Sequence, residues 1–232
     1  MDAVAVSIGG SFLVKENGVD AVLARDLARI LERVGEKRRV LAVVGGGALA
    51  RTYIRGAREL GADEATLDEI GIEVTRLNAR VLIAACRHAY HLPPKTFDEA
   101  LLASRSWPVV VMGGTHPGHT TDAVACMLGE RARVQRLVIA TNVDGVYDKD
   151  PKTHKDAKFL PRIDGEELAR IASAGKAHAG SAGVVDALGA RLVARSGLET
   201  AVVLGTDLAA LEAALLGSYD FHGTIVNAKG GR

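Results

Sequence analysis

The stretch that decides the fold is VVVMGGTHPGHTTDAVACML, residues 109–128. It begins with the apolar run Val109–Met112, which is typical of a strand buried on both faces. Glycines, histidines and threonines follow at 113–121, and the residues from Ala123 to Leu128 have helical character. A buried strand, a glycine-rich turn and a helix, in that order, are the unit from which α/β proteins with parallel sheets are built.

The same unit recurs along the chain. Apolar, β-branched runs predict strands at 4–8, 39–44, 109–112, 137–140 and 201–204. Apolar residues at helical spacing predict helices at 20–34 with Asp20 as N-cap, from 47 to about 60, and at 63–88, 96–104, 164–174, 184–196 and 207–216. An exposed loop or hairpin is expected over 148–162, and a terminal strand pair near 219–226. The alternation predicts an α/β fold with a mostly parallel sheet covered on both sides, and no linker separates two domains.

Composition excludes several classes of protein. The chain has 232 residues, of which 48% are hydrophobic and 25% charged, and its formal net charge is +1. This balance gives no reason to expect a nucleic-acid or membrane-surface partner. No apolar run approaches the roughly 18–20 residues that span a bilayer, and the N-terminus does not resemble a signal peptide. Cys86 and Cys126 form no CxxC pair, so we expect a cytoplasmic enzyme with reduced thiols and no zinc site.

Four predicted strands end in small, polar loops. The loops are GGS (9–11), GGG (45–47), GGTHPGHTT (113–121) and TNVDG (141–145). In parallel sheets ligands bind at the carboxyl ends of strands. Glycine lets backbone N–H groups approach an anion, and a following helix presents its positive end. These loops predict an anion-binding trough, although neither GxxxxGK[ST] nor a GxGxxG after the first strand is present.

Six segments of the chain resemble a known family. They are SIGGS (7–11), VVGGGALARTYI (43–54), DEIGIEVTRLNARVLIA (68–84), GGTHPGHTTDAVA (113–125), TNVDGVYDKDP (141–151) and LVARSG (192–197). In this order they resemble the amino acid kinase superfamily and, within it, the archaeal type of UMP kinase. The similarity covers nearly the whole chain, and the segments at 113–125 and 141–151 are its most specific parts.

The resemblance implies a fold and a reaction. The expected fold is one three-layer α/β/α domain over 1–232, with approximate lobes 1–135 for UMP and 136–232 for ATP that share one sheet. The expected reaction is ATP + UMP giving UDP + ADP, with Mg²⁺ carried by the nucleotide and no metal site built by the protein. The resemblance also implies a homo-oligomer, a hexamer built from dimers, for which the helix at 63–88 is a candidate interface.

The resemblance further assigns residues to each substrate. Those expected to contact ATP are Gly10, Ser11, Gly47, Arg51, Thr141, Asn142, Tyr147 and Asp150. Those expected to hold UMP are Gly46, Asp68, Thr115, His116, Pro117, Gly118, His119, Thr120 and Thr121. Of these, Arg51, Gly10 and Ser11 are expected to be catalytic, because they would face the transferring phosphoryl group.

The chain departs from the superfamily at the first strand. Many members have a lysine just ahead of the first glycine pair, where this chain has Ser7, and a second lysine near the late helix, where this chain has Arg191. Positive charge would then come from Arg51, loop amides, Mg²⁺ and, as a candidate, Lys152.

Simpler roles remain open for several residues. Asp68 could be one of several solvated carboxylates on a helix face, and the two histidines could be exposed turn residues. Asp122 could be a charge that stabilises the start of a helix, and Asp144 a turn residue.

Two other functions also remain open. One is another kinase of the superfamily, acting on a carboxylate, a carbamate or isopentenyl phosphate. The nucleotide-sized loop at 113–121 argues against this function, since a small acceptor would not need it. The other is a non-catalytic nucleotide or oxyanion-binding protein, which the missing lysine keeps open.

Overall fold

A computed structural model describes residues 2–15, 18–151, 153–174 and 184–227. Its helices and strands, in chain order, are β1 (Ala3–Ile8), α1 (Gly10–Leu13), β2 (Val14–Lys15), β3 (Gly18–Val19), α2 (Ala21–Gly35), β4 (Arg39–Val44), α3 (Gly47–Glu59), α4 (Glu64–Ala85), α5 (Phe97–Ala103), β5 (Val109–Met112), α6 (Thr121–Ala132), β6 (Arg136–Thr141), β7 (Val146–Tyr147), β8 (Phe159–Leu160), β9 (Arg162–Asp164), α7 (Gly165–Ala174), α8 (Ala187–Ser196), β10 (Glu199–Leu204), α9 (Leu208–Leu215) and β11 (Thr224–Asn227).

One sheet organises the molecule. Its strand order is β5-β4-β1-β6-β10-β11-β9, and neighbouring strands are parallel except for the antiparallel pair β10 and β11. Val43 is in register with Met112, and Ile8 with both Val44 and Ala140. The carboxyl ends of β5, β4, β1 and β6 therefore meet at one edge, and the four small, polar loops all leave from this edge, as predicted.

Helices cover both faces of the sheet. On β1, Val4, Val6 and Ile8 face a core shared with α2, α4 and α9, whereas Ala5 faces a core shared with α5, α6, α7 and α8. This division follows from the alternation of side chains along a strand. The predicted three-layer α/β/α arrangement is confirmed.

Polar caps fix the helix starts that the sequence predicted. The Asp20 carboxylate accepts a hydrogen bond from the backbone N–H of Leu23, and that of Asp63 accepts one from Thr66. Such side-chain caps satisfy amides that have no partner within the helix. The helix expected over 63–88 ends earlier, at Ala85, because the chain turns extended at Cys86.

The predictions for the chain's last third are only partly right. The segment 148–162 forms the loop and the second strand of a hairpin in which β7 and β8 pair antiparallel, as predicted. The terminal strand pair near 219–226 is wrong: residues 219–223 are irregular, and β11 lies between β10 and β9. The edge strand β9 was missed because only Ile163 of its three residues is buried, which leaves no periodic pattern.

Candidate active site

The loop after β5, residues 113–121, lies directly against helix α4. A Cβ atom on Gly113 would stand 2.4 Å from Thr75 Oγ1 and 2.7 Å from the backbone nitrogen of Arg76, so only glycine fits there. Gly114 N–H donates to Thr75 Oγ1 over 2.7 Å, and the Thr75 hydroxyl donates to the carbonyl of Ile72 over 2.6 Å. The sequence analysis missed Thr75 because a helix interior gives no sign of a contact with a distant loop.

The tip of the 113–121 loop is held by Asp68. Its Oδ2 atom accepts a hydrogen bond from the backbone N–H of Gly118 over 2.7 Å. Gly118 has φ +82°, a left-handed conformation that favours glycine. The exposed rings of His116 and His119 flank the turn, with centroids 6.3 Å apart. Asp68 is therefore more than a solvated carboxylate on a helix face, because it holds the outermost turn of the loop.

A cleft of about 270 Å³ opens between the 113–121 loop, α3 and α4. Its lining residues are Gly46, Gly47, Ala50, Arg51, Asp68, Gly71, Ile72, Thr75, Gly114, His116, His119, Thr120 and Thr121. The cleft thus brings together most of the residues assigned to UMP with Gly47 and Arg51, which were assigned to ATP. Arg51 is exposed, and the part of the chain that the structure describes gives it no ion-pair partner.

The other residues assigned to UMP lie around the cleft. Thr115 is buried behind it, and its hydroxyl has no hydrogen-bond partner among the described residues. Burying a hydroxyl without a hydrogen-bond partner costs free energy, and Thr115 does not itself line the cleft. Pro117 is exposed beside Gly118 at the loop tip, away from the lining.

The two glycine loops that follow β1 and β4 touch each other through their backbones. A Cβ on Gly10 would stand 2.1 Å from the carbonyl oxygen of Gly45, and one on Gly47 would stand 2.5 Å from the carbonyl carbon of Gly10. Gly47 also has φ +64°. Asn78 of α4 supports the second loop, since its Nδ2 donates to the carbonyls of Gly45 (2.9 Å) and Gly46 (3.1 Å). Gly10 and Ser11 border this contact but do not line the cleft.

The remaining residues assigned to ATP form a separate group beyond β6. Thr141 ends that strand, and its carbonyl accepts from Gly205 N–H over 2.8 Å. Asn142 follows it, Tyr147 lies in β7, and the Asp150 carbonyl accepts from the backbone N–H of His154 over 2.9 Å. None of the four lines the cleft described above.

Asp144 is more than a turn residue. It accepts a hydrogen bond from Tyr147 Oη over 3.0 Å, and its other oxygen lies 2.9 Å from Nε2 of His222. Burial raises the pKa of Asp144, but the hydrogen bonds from His222 and Tyr147 outweigh this effect and leave the pKa below its usual value.

Two carboxyl groups, those of Asp122 and Asp186, accept hydrogen bonds from hydroxyls near the end of the 113–121 loop. Ser7 Oγ donates to Asp122 Oδ1 over 2.6 Å, and Thr120 Oγ1 donates to Asp186 Oδ2 over 2.6 Å. Asp186 also caps α8 by accepting from Leu188 and Gly189 N–H. Desolvation and, secondarily, the neighbouring Asp186 raise the pKa of Asp122 to about 7.

Asp122 lies in the first turn of α6, as the simpler alternative from sequence expected, and Thr120 is the N-cap of that helix. The sequence analysis missed the role of Asp186, because it placed this residue inside a helix predicted over 184–196, whereas Asp186 is the N-cap of α8.

Of the two basic residues proposed to replace the lysines, only Arg191 can be placed. It is exposed on α8. Lys152 lies outside the described residues. Within the ranges that the structure describes, no three histidine, cysteine or carboxylate side chains form a metal-binding group. Over the same ranges, no helix combines the length and apolar character needed to cross a bilayer.

Comparison with known proteins identifies the family. The profile of the amino acid kinase family matches residues 2–204. The chain belongs to this family. It is 45% identical over 205 residues to the uridylate kinase of Methanocaldococcus jannaschii, covering 88% of this chain and 91% of that protein. It is 46% identical over 203 residues to the uridylate kinase of Archaeoglobus fulgidus, again covering 88% and 91%.

A solved structure supports the same placement. The crystal structure of uridylate kinase from Archaeoglobus fulgidus superimposes with a TM-score of 0.86 at 42% identity, covering 97% of this chain and all of that chain. The UMP kinase structure from Bacillus anthracis, at 22% identity and a TM-score of 0.78, shows the shared fold. The amino acid kinase fold therefore extends over almost the whole chain.

Proposed function

We propose that this chain is a UMP kinase, which transfers the γ-phosphoryl group of ATP to UMP and gives UDP and ADP. The observation that carries the proposal is the cleft in which the acceptor loop 113–121 meets Gly46, Gly47 and Arg51. The chain's membership of the amino acid kinase family supports a phosphotransferase activity. Its similarity to proteins named uridylate kinase supports UMP as the acceptor.

UMP would bind between the acceptor loop and α4. The Asp68 Oδ1 atom is available for a ribose hydroxyl, since Oδ2 already holds Gly118. The hydroxyl of Thr121, which lines the cleft, and the loop amides offer donors to the phosphate and to the uracil edge, whereas Thr120 Oγ1 already donates to Asp186. His116 and His119 would border the nucleotide at the cleft mouth.

ATP would bind across β1 and β6. Gly10, Ser11, Gly47 and Arg51 would contact its phosphates, and Thr141, Asn142, Tyr147 and Asp150 would hold the rest of the nucleotide. The approximate division into an acceptor lobe, 1–135, and an ATP lobe, 136–232, follows from this assignment. One sheet runs through both, because β1 pairs with β4 on one side and with β6 on the other.

Phosphoryl transfer from ATP to UMP requires the protein to position the two nucleotides, and it requires no covalent bond to the protein. Phosphoryl transfer depends on two phosphates held in line with their charge neutralised. The UMP phosphate is already ionised near neutral pH, so no general base is needed. Arg51 and the amides of Gly10 and Ser11 would stabilise the transferring group. Mg²⁺ would add positive charge when it arrives with the ATP phosphates, since the described residues supply no carboxylate cluster to hold it alone.

The acceptor can be tested directly. ADP release should be measured by a coupled assay with UMP, CMP, AMP, acetylglutamate or isopentenyl phosphate as acceptor, with ATP and Mg²⁺ present. We expect UMP to give a far higher kcat/KM than the other four. Equal rates with CMP would refute the role of the acceptor loop in recognising uracil. A preference for either non-nucleotide would indicate another kinase of the family, and ATP binding without turnover would indicate a binding protein.

Assembly and location complete the proposal. We propose a cytoplasmic homo-oligomer, a hexamer built from dimers, with α4 as one interface. Leu77 on that helix is 52% exposed, so a substitution there tests the interface without disturbing the core. Sedimentation equilibrium of the wild type and of Leu77→Glu tests this, and a wild-type monomer would exclude the hexamer.

A further inference from the structure

His222 and Thr224, the first residue of β11, both contact the β7–β8 hairpin. Thr224 is fully buried; its Oγ1 accepts from Val146 N–H over 2.8 Å and donates to the Leu160 carbonyl over 2.7 Å. One side chain therefore bonds both strands of the hairpin, although it lies more than 60 residues further along the chain.

His222, two residues earlier, contacts the same hairpin on its exposed side. Its ring stacks on Phe159 with centroids 5.0 Å apart and planes 15° from parallel. Its Nε2 lies 2.9 Å from Asp144 Oδ2. Asp144 Oδ1 in turn accepts from Tyr147 Oη, and the Tyr147 ring packs edge-on against Phe159 at 5.5 Å. His222 thus contacts two residues that together fix the orientation of Tyr147.

The hairpin has few other means of fixing that orientation. Each of its strands is two residues long, and such short pairs are only marginally stable by themselves. The Tyr147 side chain is half-buried, and its hydroxyl donates to the carboxylate of Asp144. The position of Asp144 consequently decides where the Tyr147 ring lies.

We propose that His222 is a positioning residue for ATP: through Asp144 and Phe159 it orients Tyr147, which the proposed function assigns to the adenine nucleotide. The inference rests on that proposed function. It assigns His222 no contact with UMP, because the acceptor cleft is built from α3, α4 and the loop after β5. Loss of His222 should therefore weaken ATP binding and leave the UMP site unchanged.

Steady-state kinetics with ATP and UMP varied separately tests whether His222 affects ATP binding and leaves UMP binding unchanged. His222→Ala should raise KM for ATP by about five- to tenfold, the size expected of one hydrogen bond and one ring contact. KM for UMP and kcat should stay within about twofold of wild type. His222→Gln keeps an N–H donor for Asp144 and should recover most of the ATP affinity. His88→Ala removes an exposed histidine at the end of α4 and is the matched control.

Three results would overturn the proposal. They are an unchanged KM for ATP in His222→Ala, a parallel rise in both KM values, and a glutamine variant as impaired as the alanine variant. If His222→Ala does not fold, Asp144→Asn weakens the same contact from the hairpin side and should show the same selective rise.

A binding measurement distinguishes a failure of this proposal from a failure of the proposed UMP kinase reaction. Calorimetric titration with a non-hydrolysable ATP analogue needs no UMP. A wild type that fails to phosphorylate UMP would sink the proposed function, whereas analogue binding still compares His222→Ala with wild type. Equal affinities in that titration would refute the role of His222.

Discussion

Asp68 is the residue at which loop geometry and substrate binding are expected to meet. One carboxylate oxygen holds Gly118 N–H at 2.7 Å, and the side chain lines the cleft proposed for UMP. A hydrogen bond to a charged group contributes about 1.5–3 kcal/mol, and each 1.36 kcal/mol corresponds to a factor of ten. Removing such a bond from the UMP complex should therefore weaken binding by about ten- to a hundredfold.

Two substitutions separate the roles of this carboxylate. Asp68→Asn keeps an oxygen that can accept from Gly118 but loses the charge, and should raise KM for UMP about tenfold. Asp68→Ala loses both and should raise it about a hundredfold, because the loop tip is also released. In Asp68→Asn kcat should stay within about twofold, since a ribose contact holds ground state and transition state equally.

The assay is steady-state ADP release with UMP and ATP varied separately. Glu69→Gln, which removes the neighbouring exposed carboxylate, is the control and should behave as wild type. A rise in KM for ATP without one for UMP would mean that the two nucleotide sites are reversed. Wild-type kinetics in both Asp68 variants would show that Asp68 has no role in UMP binding and is a solvated carboxylate on the face of α4.

Three further changes test the site and its supports. Arg51→Ala should lower kcat/KM by about a hundredfold, or about 2.7 kcal/mol of transition-state stabilisation, with unchanged thermal unfolding; near-normal turnover would contradict its assigned role. Gly10→Ala places a Cβ 2.1 Å from the Gly45 carbonyl and should lower the free energy of unfolding by about 1–3 kcal/mol in urea titrations, whereas an unchanged midpoint would show that the loops can separate. Asp122 has a pKa near 7 in the fold, above its unfolded value, so the wild type should lose stability as the pH rises from about 4 to 7, by at most about 1.4 kcal/mol per unit; Asp122→Asn should lack this slope in unfolding titrations, and parallel profiles would exclude the effect.

Much of the fold was accessible from local pattern. The strands β1, β4, β5 and β6 are continuous apolar runs, and each helix start at Asp20, Asp63 and Asp207 carries its own cap. These signals act over a few residues, so the sequence displays them. The loops at the carboxyl edge could be placed for the same reason, since parallel strands bring their ends together.

The supports of the site could not be predicted in this way. Ser7 and Asp122 are 115 positions apart, and Thr120 and Asp186 are 66 apart. Their contacts depend on how α6 packs against β1 and how α8 packs against α6, and the spacing of apolar residues in the sequence does not show this packing. His222 was missed for a related reason, because its partners lie on a two-strand hairpin too short to produce a pattern. Lys152, a candidate from sequence, lies outside the described residues and stays a prediction.

The backbone contact between the loops after β1 and β4 has a mechanical consequence. Neighbouring strands of a sheet lie about 4.8 Å apart. The backbone contact between Gly10 and Gly47 keeps the loops after β1 and β4 close together beyond the ends of these strands. The separation between donor and acceptor phosphates would then be set by the sheet itself, before either nucleotide arrives. Motion during turnover would then occur mainly in the β7–β8 hairpin and at the tip of the 113–121 loop. Substitutions in residues 113–121 could therefore change the acceptor specificity without disturbing the contact between Gly10 and Gly47.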